Sequence, residues 1–155
     1  MKLIRATRLR LRFSLSPQEK QVLTDVLHLY PRVPATHHRV TKSAPTDATK
    51  ESQHLLDEAL AEQRREHKKQ IVNLLHHPER FETSAKGEIK LTLLRAEADW
   101  LLQILNDIRV GSWLNLGSPE DIHRPADDTA SADFWAMEIA GFFQSQLLEA
   151  LNPET

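Results

Sequence analysis

A chain of 155 residues, 40% apolar and 27% charged, is long enough to bury a real core and is expected to form one soluble domain over residues 1–155. Its net charge of −2 argues against bulk nucleic-acid binding, and the absence of cysteine excludes disulfides, thiolate zinc sites and cysteine nucleophiles. No apolar run approaches the roughly 20 residues needed to cross a bilayer, so no membrane partner is expected.

The opening MKLIRATRLRLRF is charged throughout and lacks the apolar core of a signal peptide, so a cytoplasmic protein is expected. Leu9, Leu11, Phe13 and Leu15 alternate with Arg8, Arg10, Arg12 and Ser14, the period of a half-buried strand. Arg8, Arg10 and Arg12, with Lys2 and Arg5, form a basic patch without an acid among the first dozen residues, which suits phosphate contact. No aromatic residue stands on that face to stack a base. The preferred expectation is therefore an outer sheet face whose charge blunts edge pairing or pairs with Glu88 and an acidic loop downstream.

Ser16-Pro17-Gln18-Glu19 starts a helix: serine caps, proline fits the first turn, and glutamate stands at the capping-box position. Val22, Leu23, Val26, Leu27 and Tyr30 form its buried face, and Pro31 ends it. Residues 31–49 hold three prolines and many small or polar residues, the composition of a mobile loop. A helix is expected from about Lys50 to His76. Its middle, residues 62–70, has no apolar side chain, so it either runs through solvent on its ion pairs or breaks. Residues 78–87 read as a connection anchored by Phe81.

Ile89, Leu91 and Leu93 alternate with Lys90 and Thr92 as a second strand. From Arg95 the period becomes helical: Ala98, Leu101, Leu105 and Ile108 recur at three and four, and Trp100, Ile104 and Leu114 widen the stripe. Gly117-Ser118-Pro119 stops it. Residues 120–128 form an acidic loop. Ser131 or Asp133 caps a last helix that runs to about Leu151 and is apolar almost all round, and Asn152-Pro153 stops it. Such a helix needs more cover than a small domain provides, which predicts a homodimer or another protein partner.

The expected fold class is thus α+β, mostly α: about four helices with a small two-stranded antiparallel sheet. A shift of 78 residues lays Phe13 on Leu91, Glu19 on Glu97, Leu23 on Leu101 and Leu27 on Leu105, which suggests a strand-helix pseudo-repeat with both strands in one sheet. Gly111 and Gly141 sit inside helical patterns, where glycine costs roughly 1 kcal/mol relative to alanine. They predict a close crossing of the central and final helices.

Polar residues cluster in the central helix. Asn106, Asp107 and Arg109 follow the apolar Ile104 and Leu105, and with Trp113 they make the candidate binding site; buried polar groups of this kind more commonly hold a neighbouring loop. Two histidine pairs, His37-His38 and His76-His77, invite a metal, with His67 and Glu66 near the second. No HExxH or similar spacing occurs, so no metal ligand and no cofactor is assigned. Recognised nucleophile, phosphate-loop and dinucleotide motifs are missing too, so no catalytic residue is assigned.

Leu105-Asn106-Asp107-Ile108-Arg109, with the acidic-apolar helix before it and the glycine turn after it, resembles a bacterial family described as domain of unknown function 2017, over residues 91–151. The resemblance implies no activity. Actinobacterial members are often encoded beside the small adaptor of the Clp protease, which makes that adaptor and protease candidate partners. The leading expectation is a non-enzymatic protein-interaction or regulatory module of the bacterial cytoplasm. The alternatives are a metal-dependent enzyme using the histidine pairs and a nucleic-acid-binding regulator using the arginine strand.

Overall fold

The computed structural model describes residues 1–40 and 46–152. Two hairpins build one four-stranded antiparallel sheet in the order β1-β2-β4-β3: β1 (Lys2–Ala6), β2 (Arg10–Leu15), β3 (Phe81–Thr83) and β4 (Ile89–Leu94). Four α-helices accompany it: α1 (Pro17–Leu27), α2 (Asp47–His76), α3 (Arg95–Asn115) and α4 (Asp128–Leu151).

The α+β, mostly helical class stands, but the expected two strands are four. The two missed strands are edges. In β1 only Leu3 turns towards the core, and the register shifts between Leu3 and Arg5, so no alternation survives in the sequence. β3 is three residues long, and the supposed connection closes as a hairpin through Ser84 N–H to Glu88 O (2.8 Å), with Gly87 at φ +80°. Phe81, the expected anchor, packs against the core.

The two read strands pair with each other. Leu11, Phe13 and Leu15 lie opposite Leu93, Leu91 and Ile89, and all six are buried. The 78-residue shift carries Pro17, the first residue of α1, onto Arg95, the first of α3, and lays β1 over β3 and β2 over β4. Each unit is therefore strand-strand-helix, and the strand order is symmetric about the β2–β4 pair. The helix starts match in chemistry: Ser16 N–H donates to Glu19 (3.0 Å) and Leu94 N–H to Glu97 (2.8 Å). Leu23, Val26 and Leu27 of α1 and Ala98, Leu101, Ile104, Leu105 and Ile108 of α3 join the strands in one core. α4 completes it with Ala136, Ala140, Phe143, Leu147 and Ala150.

α4 starts earlier than expected. Asp127, not Ser131 or Asp133, caps it, accepting from Thr129 N–H (2.8 Å). Asp133 is instead one turn inside and buried. Pro153, expected to stop the helix, lies outside the described residues. α2 does not break. It starts at Asp47, where Thr46 and Thr49 form a reciprocal cap, and only His67, Ile71 and Leu74 are buried along its 30 residues. Of the stretch expected as a mobile loop, residues 31–40 carry a short 3₁₀ turn (Ala35–His37), residues 41–45 lie outside the described residues, and the rest begins α2.

The glycine crossing is corrected. α3 and α4 do pack together, but Gly111 faces the chain at Arg32 and Val33. A Cβ there would meet Arg32 C and Cβ at 2.5 Å and Val33 N at 2.7 Å. A Cβ on Gly141 would meet only Arg109 Cδ, at 3.7 Å. The helix propensity penalty at Gly111 is thus offset by backbone that no other residue admits. Gly111→Ala is expected to destabilise by about 1–3 kcal/mol through overpacking, and Gly141→Ala to stabilise by up to about 1 kcal/mol through helix propensity. Denaturant melts of both variants check the pair; equal effects would contradict this packing.

Candidate functional site

The segment after α1 crosses α3 where the polar cluster lies. Asp107 accepts from the backbone N–H groups of Arg32 (2.6 Å) and Val33 (3.3 Å). The Arg32 guanidinium reaches α4 and pairs with Asp133 (2.5 Å), which also accepts from Asn115 Nδ2 (3.3 Å). From α2, Arg64 donates to the carbonyl of Val33 (2.5 Å). Further out, Gln53 of α2 accepts from Val40 N–H (2.8 Å) and donates to His38 O (3.0 Å). Backbone groups that a crossing loop would leave unpaired are so satisfied from two helices.

Of the four candidate residues of α3, only Asn106 and Asp107 border a common cleft. Asp107 faces the Arg32–Val33 crossing. Asn106 and Arg109 bond each other (3.0 Å) and sit exposed towards α4, where Gln144 donates weakly to Asn106 (3.4 Å). Trp113 is further along, its indole N–H donating to Pro119 O (3.1 Å) and fixing the turn after α3. What gathers around Asp107 is Tyr30, Arg64 and His67, of which the sequence marks only His67 as a candidate, and beside the other histidine pair. These three line a cleft of about 230 Å³ together with Asn106, Asp107 and His38. A wider cleft of about 530 Å³, between the 3₁₀ turn and the first half of α2, shares His38, Leu60 and Arg64 with it as lining residues.

At the floor, the Tyr30 hydroxyl and His67 Nδ1 are 3.0 Å apart. A neutral imidazole with its proton on Nε2 accepts the phenolic proton there. Burial pushes the tyrosine up to about 12, assisted by the Asp107 charge and opposed by Arg64. Burial holds His67 below its ordinary value, against the pull of Asp107 and Glu66. A tyrosine–histidine hydrogen bond, a carboxylate and a guanidinium in a small cleft can bind a polar ligand or serve as packing; the carboxylate here is already occupied by two amides.

The histidine pairs are separated. His37 and His38 border the cleft, their rings 5.6 Å apart. His76 and His77 lie at the far end of α2, about 14 Å along the helix from His67, so His67 joins the first pair's surroundings and not the second's. Among the described residues no three His, Cys, Asp or Glu side chains are grouped to hold a metal ion. The basic patch lies elsewhere again. Arg10 and Arg12 stand on the sheet face turned away from the core, and Arg8 is in the β1–β2 turn. Arg12 pairs with Glu82 (3.0 Å), whereas Glu88 bonds Ser14.

The perturbed pair has a sign that can be read. His67, held neutral, contributes stability that is complete above its unfolded value of 6.5 and declines as the pH falls from there towards the lowered native value. Tyr30 contributes stability that is complete below 10 and is lost as the pH rises from 10 towards about 12. The wild type is therefore expected to lose more stability than His67→Gln between about pH 7.5 and about pH 5. Tyr30→Phe, which leaves Nδ1 unpartnered, is expected to lower stability by about 1–2 kcal/mol at neutral pH. Urea melts across pH check both.

No curated protein and no solved structure compared with the chain matches it. One family model does, over residues 31–151, a wider stretch than the sequence resemblance had covered and one that takes in the Arg32–Val33 crossing, α2, α3 and α4. The chain accordingly belongs to the family described as domain of unknown function (DUF2017).

Proposed function

We propose that the protein is a non-enzymatic interaction module that engages another protein through the outward face of α4. The observation that carries this is the exposure of Trp135 (40%) and Phe142 (44%) on a helix whose other side is core. They are seven residues apart, two helical turns, with half-buried Ile139 between them on the same face. A ridge of two aromatics and an isoleucine is the kind of apolar surface that a lone domain rarely leaves to water. α4 carries four acids and no Lys or Arg, so the fitting surface is an apolar groove with a basic rim.

The other readings have less behind them. A metal-dependent enzyme needs the histidine pairs together, and α2 holds them apart. A second copy of the chain would bring two acidic helices face to face, which favours a different protein over a homodimer. The bacterial cytoplasm is the compartment proposed, in keeping with the family resemblance; among the described residues no helix is long and apolar enough to cross a membrane. The Clp adaptor and protease are the named partners to test first, on the strength of that resemblance alone.

Trp135→Ala and Phe142→Ala are expected to leave the melting temperature nearly unchanged and to weaken partner binding by about 2 kcal/mol each, roughly thirtyfold in Kd. Sedimentation velocity of the protein alone and with purified Clp adaptor reads the outcome. A monomer at high concentration that neither binds the adaptor nor responds to the two substitutions would contradict the assignment.

A further inference from the structure

The open face of the sheet has a charge arrangement that the fold alone does not call for. In the register of β1 on β2, Arg5 lies directly opposite Arg12. Like charges placed directly across a strand pair destabilise it. Arg12 is relieved on one side by Glu82, and Arg80 by Glu97. Arg5, Arg8 and Arg10 have no carboxylate partner among the described residues. All three belong to the same hairpin. The Arg12 Nε is in addition buried and without a hydrogen-bond partner. A chain of net charge −2 has thus gathered five cations and no acid within its first dozen residues.

Several of these cations border a groove of about 830 Å³ that runs over β2 and β4 between the β1–β2 turn and the end of α2. Arg5, Arg10, Arg12 and Arg80 line it, with Thr7 and Thr92 as further donors; Glu79 and Glu82 are its acids. Arg80 is held by Glu97 and Arg12 shares its guanidinium with Glu82, which leaves Arg5 and Arg10 as forks without a carboxylate; such forks match tetrahedral oxyanions, which take two parallel N–H bonds from each. The only apolar side chain in the lining is Leu94, so an apolar peptide finds no seat, and the one ring is the His77 imidazole, with no Phe, Tyr or Trp to build a stacking platform.

We infer that the open face of the sheet is a binding surface for a phosphate-rich polyanion, gripped through its phosphates by Arg5, Arg10 and Arg12 without base readout. Inorganic polyphosphate and single-stranded nucleic acid share this chemistry. The bound phosphates relieve the Arg5–Arg12 opposition. Glu82 competes with them for Arg12.

The test is fluorescence anisotropy with the full chain and a short labelled single strand of mixed sequence, with competition by inorganic polyphosphate and by polyglutamate. The expected result is binding at low salt, with log Kd rising against log salt at a slope of about 2–3, as for three or four phosphates on a single strand. Arg5→Glu and Arg10→Glu, both exposed positions, should each weaken binding about tenfold or more. Lys50→Glu on α2, an equal change in net charge, should leave binding within about twofold, and Glu82→Gln should tighten it. Displacement by polyphosphate as well as by unlabelled strand supports phosphate recognition. No binding of the strand, with direct binding of an end-labelled polyphosphate, supports it with the inorganic polymer as the ligand. Equal competition by polyglutamate, an equal loss in Lys50→Glu, or no binding of either phosphate polymer overturns the inference. Circular dichroism melts confirm that each variant is folded.

Discussion

The carboxylate of Asp107, closed on the amides of Arg32 and Val33, is the contact on which the helical half of the structure depends. The chain leaving α1 must cross α3 to reach α2. At the crossing it presents backbone donors to a helix whose own backbone is already paired. Asp107 takes two of them. Gly111, one turn on, lets the main chain come close enough for that to happen. From the docked segment Arg32 reaches Asp133 on α4, and Val33 offers its carbonyl to Arg64 on α2. One short stretch thereby ties three helices. Since both Arg32 and Asp133 are largely out of water, removing either leaves the other uncompensated, at a cost of several kcal/mol.

The other half rests on long-range strand pairing. β2 and β4 lie more than 70 residues apart in the chain and meet with Leu11, Phe13 and Leu15 against Leu93, Leu91 and Ile89. Two strand-strand-helix units share this seam, and each helix is capped by a glutamate at its third residue. The arrangement buries one face of the central β2–β4 pair, while the edge strands β1 and β3 are only partly covered. α2, α3 and α4 lie on that side or beyond it, so the second sheet face remains open. Its side chains, Arg12, Ser14, Lys90 and Thr92, are what such a face tolerates: long or small polar groups that stay wet.

Much of this was legible from residue order. The strands around Phe13 and Leu91, the cap at Ser16, the length of α3 and its stop at Gly117 all follow from local patterns, and local patterns are what a sequence displays. The pairing of the two strands was legible through the 78-residue shift. What escaped was set by distant partners. β1 and β3 bury too little to show a period. Asp133 reads as a helix cap until Arg32 is seen beside it, and Asp127 does the capping. Gly111 signalled close approach correctly, but its partner is a loop and not α4, because a glycine tells of missing volume and not of what fills it. Within the candidate site, Asp107 was singled out, whereas Tyr30 and His67 meet it only through the path of α2. The one available hint was His67 itself, a near-neutral residue at core spacing in a run of charges, four residues before Ile71.

If Asp107 is a clamp for the crossing segment and not a group held ready for a reaction, the amides it binds should be closed to solvent in the resting protein. Native-state hydrogen exchange by NMR, read at Arg32 and Val33 in the wild type and in Asp107→Ala, tests this most directly. The account predicts that both amides are protected to a degree comparable with the middle of α3, and that the substitution removes protection there and also at the α2 end of the Val33–Arg64 bond while leaving β2 and β4 unchanged. Fast exchange at Arg32 and Val33 in the wild type, or protection untouched by the loss of the carboxylate, would contradict it.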